Sequence, residues 1–161
     1  MLTLDVIKTG TFLLIASLLV IAAYTDIKER RISNRLSIGI CLAFGMLSSL
    51  QIQAGISLME AFIYPVAAGF VVSLVCTGLF ALGLMGGGDV KLLASMALVA
   101  GPFMSLSFIL YTALFGGVVA LVTLVHARIS GSPDTAKVPY GVAISAAGLW
   151  VCLERFSDIT V

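Results

Sequence analysis

Charged residues in this chain fall into a few clusters, and the stretches between them are apolar throughout. No Asp, Glu, Lys or Arg occurs from Thr9 to Thr25, from Leu36 to Met59, from Ala61 to Gly88 or from Leu92 to Ala127. A soluble amphipathic helix would carry a polar face through such runs. A membrane β-barrel would alternate polar and apolar positions in segments of about ten residues. The chain does neither, so the blocks read as helices in lipid.

Block boundaries predict a first helix over 9–25, a second over 36–50 and a third over 61–84. The polar stretch Gln51-Ile52-Gln53-Ala54-Gly55 turns the chain between the second and third. The block from Leu92 to Ala127 is too long for one crossing, and Gly101-Pro102 divides it. Glycine is favoured just past a helix end and proline at the start of the next helix, so this dipeptide suits a tight hairpin. The fourth helix is therefore expected over 90–100 and the fifth over 103–127. A turn-rich loop from Arg128 to Lys137 then leads to a sixth over 139–153. The expected fold is all-α: a polytopic membrane protein of six transmembrane helices, forming one domain over 1–161 with no soluble domain.

Composition agrees, with 60% hydrophobic and 11% charged residues and a mean hydropathy of +1.16, against about 25% charged in ordinary globular domains. A net charge of +1 offers no bulk attraction for nucleic acid, so the expected partner surface is the bilayer. Cys41, Cys76 and Cys152 lie apart in apolar blocks without C-x-x-C spacing, which reads as small core residues and no metal site.

Charge also sets the orientation. Lys28, Arg30, Arg31 and Arg35 mark the first loop as cytoplasmic by the positive-inside rule. With six helices, Lys91, Arg128 and Lys137 join them, while Lys8 and Arg155 lie on the other face with both termini. A single helix over 92–127 would instead place His126, Arg128 and Lys137 outside. The apolar run after Lys8 reads as a retained anchor, because its stronger basic cluster follows it. The expected location is the inner (cytoplasmic) membrane, multi-pass.

Against this background, Met85-Gly86-Gly87-Gly88-Asp89-Val90-Lys91 places a carboxylate beside three glycines, and Asp26 ends the first helix on the same membrane side. Acids close to the membrane interior are functional candidates. In a pair of aspartates, the ionised one draws a proton from water while the protonated one donates to a carbonyl oxygen. Close approach makes their titrations a property of the pair. Glycines let another backbone come near. Residues 90–100 rise only about 16 Å, half the hydrocarbon layer, which suggests that Asp89 sits in a recess that water enters. Two plainer readings stay open: Asp89 as a helix N-cap after a glycine turn, and Asp26 as a helix-end acid paired with Lys28, Arg30 or Arg31. Lys91 reads as an interfacial anchor or a partner for Asp89.

Three segments carry a family resemblance: Tyr24-Thr25-Asp26-Ile27-Lys28-Glu29-Arg30-Arg31-Ile32-Ser33-Asn34, Gly86-Gly87-Gly88-Asp89-Val90-Lys91, and Val138-Pro139-Tyr140-Gly141-Val142-Ala143-Ile144. Together they resemble the type IV prepilin peptidases, which are GxGD aspartic membrane peptidases, and most of all the short forms associated with Tad/Flp pili. The resemblance implies an aspartic endopeptidase that removes the basic leader of a prepilin-like substrate at the cytoplasmic membrane face. It implies Asp26 and Asp89 as the catalytic pair, with Gly86, Gly87, Gly88, Lys91, Pro139, Tyr140 and Gly141 shaping the site, and neither metal nor cofactor. Larger bacterial members carry a cytoplasmic domain with paired cysteines and N-methylate the new terminus. This chain lacks that insertion, so proteolysis alone is expected. Glu29 stands where a basic leader would arrive. The rival reading is a small proton-coupled transporter using the same acids as a relay. Oligomeric state is left open.

Overall fold

The computed structural model of this chain describes residues 2–129 and 138–160. Its described elements are all helical: α1 (Leu2–Glu29), α2 (Asn34–Gln53), a π-helical turn (Met59–Ile63) opening into α3 (Tyr64–Ala81), α4 (Gly87–Ile129) and α5 (Tyr140–Thr160). Four stretches among them are long and apolar enough to cross a membrane: Leu4–Glu29, Asn34–Gln53, Met59–Ala81 and Gly87–Ile129. Large apolar side chains such as Leu42, Phe70, Leu74 and Phe103 stand on the outside. In water that surface would aggregate, whereas lipid tails cover it. The chain is a multi-pass, all-helical membrane protein.

Helix ends differ from the apolar blocks for physical reasons. The first helix was expected over 9–25, yet α1 runs well past both limits, with Asp5 in its first turn and Lys28 in its last. Hydropathy marks what lipid covers, and a helix continues into the headgroup layer, where such charges also complement its dipole. α2 likewise starts early, on Ser33, whose hydroxyl accepts the Arg35 N–H at 3.3 Å. α3 stops short of Leu84 because Gly83, at φ 72°, reverses the chain. Leu84 N–H then returns to Leu79 C=O and Gly83 N–H to Phe80 C=O, the Schellman pattern of helix termination. The loop expected from Arg128 to Lys137 falls mostly outside the described residues.

Within α4, Gly101 has φ 68° and ψ 179°, a combination that essentially only glycine adopts. Pro102 beside it lacks an N–H and disfavours helix in the residue before it. α4 is thus two arms, 87–100 and 102–129, divided at the dipeptide that the sequence marks. The arms double back on one another. A Cβ at Gly116 in the second arm would meet the Tyr140 ring, at the start of α5, at 3.7 Å. The bend itself lies against Arg155, far along α5.

A broken helix in lipid leaves carbonyls that water cannot satisfy. Here Arg155 Nη2 donates to Ala100 C=O at 2.7 Å, and Ser105 Oγ donates to Gly101 C=O at 2.6 Å. Ala100 is fully buried and Ser105 nearly so, so these bonds have no solvent substitute. The surrounding core brings Ile15 and Leu19 of α1, Met96 and Phe108 of α4, and Ile144 and Val151 of α5 into one cluster.

Gly101→Ala forces a side chain into a backbone region closed to it and is expected to cost about 1–3 kcal/mol. Arg155→Leu orphans the Ala100 carbonyl at a similar cost of about 1–3 kcal/mol. Unfolding in mixed detergent micelles measures both, and stability equal to wild type in both variants would show that the bend needs neither device.

Candidate active site

Asp26 lies in the last turn of α1 and is buried, with 6% of its surface exposed. Just beyond it, Arg30 takes a left-handed conformation, φ 53°, and its N–H returns to Asp26 C=O at 3.1 Å. A non-glycine residue there costs on the order of 1–2 kcal/mol, and the turn it makes lets Arg31, Ile32 and Ser33 carry the chain directly into α2. α4 approaches from the other side. Its first turn is Gly87, Gly88, Asp89 and Val90, and Gly86 stands at the cap position, its C=O accepting the Val90 N–H at 3.2 Å. The fourth helix was expected to start at Val90; instead the glycines themselves take up the helix. The N-cap reading of Asp89 is corrected accordingly. Asp89 sits third in the helix and turns its carboxylate back to the Gly86 N–H, as the acid of a capping box does.

These segments enclose a cavity of about 560 Å³ whose walls include Asp26, Asp89, the three glycines and the loop from Glu29 to Asn34. The two aspartates are close enough for their charges to interact. Asp26 makes no ion pair within 4 Å with Lys28, Arg30 or Arg31 among the described residues, although Arg30 is near enough for its charge to act on the carboxylate.

The partner of Asp26 is a backbone. Gly141 N–H, in the first turn of α5, donates to Asp26 Oδ2 at 2.8 Å in a buried setting. N–H groups of a first turn have no partner within their own helix, so Asp26 caps α5 from a different helix. Hydrogen bonds to a charged group contribute about 1.5–3 kcal/mol. The contact demands glycine, because a Cβ at position 141 would lie 2.8 Å from Asp26 Oδ2 and 2.8 Å from Ile32 Cδ1. Gly88 meets the same isoleucine from the other side, where a Cβ would fall 3.1 Å from Ile32 Cβ. Ile32 is thus wedged between the glycines of α4 and α5.

The remaining sequence candidates are distributed as follows. Gly86, Gly87 and Gly88 line the cavity. Lys91 does not line it; its Nζ donates to Asn34 Oδ1 at 2.9 Å, which joins the start of α4 to the start of α2. Pro139 is buried and Tyr140 exposed, and neither lines the cavity; the Tyr140 N–H donates to Val138 C=O and the Val142 N–H to Pro139 C=O in the turn that leads into Gly141. Nothing in the sequence singles out Ile32, an apolar residue without chemistry of its own, and Thr25 and Asn34 on the cavity wall were likewise not foreseen. Among the described residues no group of three or more His, Cys, Asp or Glu could hold a metal ion. The arrangement offers two neighbouring carboxylates at a cavity with apolar and backbone walls, which can take a proton from one small molecule and return one to another.

The model of the type IV leader peptidase family matches residues 13–121. That span takes in Asp26, Asp89 and the glycines between them and stops before Gly141. Comparison with curated proteins and with solved structures yields no match.

Gly141→Ala is expected to destabilise the fold by about 1–3 kcal/mol, the usual cost of overpacking a closed site. Gly88→Ala is expected to cost less, since Ile32 has only tenths of an ångström to yield. Parallel unfolding titrations of the two variants check the order, and the reverse order would mean that position 141 has more room to adjust than position 88.

Proposed function

This chain belongs to the type IV leader peptidase family, and we propose that it is an aspartic endopeptidase in which Asp26 and Asp89 act together on one water molecule. The observation that carries the reading is their convergence on a single cavity from α1 and α4. Asp26, held by a backbone N–H and near Arg30, is the carboxylate that takes a proton from water. Asp89 carries the proton given to the carbonyl oxygen of the scissile peptide. Water oxygen then bonds to the carbonyl carbon; the leaving nitrogen takes the proton that Asp26 accepted, a hydroxyl of the intermediate returns one to Asp89, and the C–N bond breaks to leave an acid and an amine.

The substrate class is a prepilin, a basic leader followed by an apolar helix, of the Tad/Flp kind. The leader stays in water at a cavity rim where Glu29 offers a counter-charge, while the helix remains in lipid. This reading takes the membrane as the inner membrane, the cavity as facing the cytoplasm, and the six helical segments, with α4 counted as two arms, as six crossings with both termini outside. Leader removal occurs without N-methylation, the link from α1 to α2 being only residues 30–33.

Cleavage of a Tad/Flp-type prepilin by the protein in liposomes tests the pair. Asp26→Asn and Asp89→Asn should each lower the rate by at least about 100-fold while leaving the helical content intact. Full activity in either variant refutes the pair, and a wild-type protein that never cleaves refutes the peptidase reading. Mass spectrometry of the product, made with a methyl donor present, should find the new N-terminus unmodified and not one methylene heavier.

A further inference from the structure

Beside the carboxylate cavity lies a second depression, about 740 Å³, that faces the lipid between α2, α3 and the first arm of α4. Its upper end holds Asn34 and Lys91, joined by their hydrogen bond, and its lower walls are apolar, with Ile38, Leu42, Phe70 and Leu98 among them. Asn34 lines both this groove and the carboxylate cavity. The apolar groove between α3 and the second arm, around Thr112 and Tyr140, shares no lining residue with that cavity. A chain that leaves the two aspartates for the lipid therefore has a continuous path over the Asn34–Lys91 bridge into the first groove.

A second observation points to the occupant. The groove has a polar end, at Asn34 and Lys91, beside the carboxylate cavity, and largely apolar walls beyond it. A peptide that is polar at the bond to be cut and apolar in the helix that follows matches that order, whereas a lipid acyl chain matches only the apolar walls.

We propose that this groove docks the apolar segment that follows the scissile bond of the substrate, with the leader lying in the carboxylate cavity. The proposal rests on the peptidase reading above. From Lys91 to Leu98 the wall rises about 10 Å, enough to seat roughly two turns of a helix.

The groove carries its own probe. Cys41 is exposed on its wall, whereas Cys76 and Cys152 are buried. The Asp89→Asn protein is reconstituted with prepilins bearing a single cysteine scanned through the first turns of the apolar helix, and oxidised. Disulfides should form on one helical face and vanish with Cys41→Ser. In the active protein, Ile38→Trp and Leu42→Trp, both at exposed groove positions, should raise KM about tenfold with kcat nearly unchanged, the mark of lost ground-state binding. Cleavage of the same prepilins by wild type without any Cys41 disulfide, or with KM unmoved by both tryptophans, overturns the docking site and assigns the groove to lipid. Absence of cleavage by wild type overturns instead the peptidase reading beneath it.

Discussion

The hydrogen bond from Gly141 N–H to Asp26 Oδ2 is the contact on which the site depends. Each group alone would be a liability in an apolar bundle, the carboxylate as a desolvated charge and the N–H as an orphan of a helix start. Joined, each removes the cost of the other. The bond also fixes geometry: it holds the end of α1 against the start of α5, and it does so only because position 141 has no side chain. Ile32 then fills the space between the α4 and α5 glycines, and the loop that carries it becomes one wall of the cavity.

The opposite end of α5 is held by the same physics. At the bend in α4 the helix ladder stops inside apolar surroundings, and Arg155 and Ser105 supply the donors that water would supply elsewhere. Between helices in lipid there is no hydrophobic driving force, so packing and polar ties decide which helices associate. α5 is tied at both ends, to α1 through a backbone donor and to α4 through a guanidinium. The first arm of α4, pinned at its bend and tied through Lys91 to Asn34, carries Asp89 to the cavity.

The proposed substrate is polar on one side of the scissile bond and apolar on the other. The two depressions that meet at Asn34 have that division of character, one bounded by charged residues and exposed backbone, the other by aliphatic and aromatic side chains. Glycines at the start of α4 leave the cavity wall beside Asp89 without side chains.

Much of the fold is local physics and therefore legible along the chain. Long uncharged runs read as apolar helices, and Gly101-Pro102 cannot continue a helix; the structure has both. Helix ends were less legible, because hydropathy reports the lipid layer and α1 and α2 extend beyond it. What the sequence by itself did not decide was which groups meet. Asp26 had basic neighbours three or four residues away, and its partner is instead a backbone N–H 115 positions on. Lys91 stood two residues from Asp89 and bonds Asn34. Ile32 carries no chemical signal, and it is the contact shared by two glycines. Such pairings depend on how helices pack and on where side chains point once they do, and no local propensity or spacing encodes that.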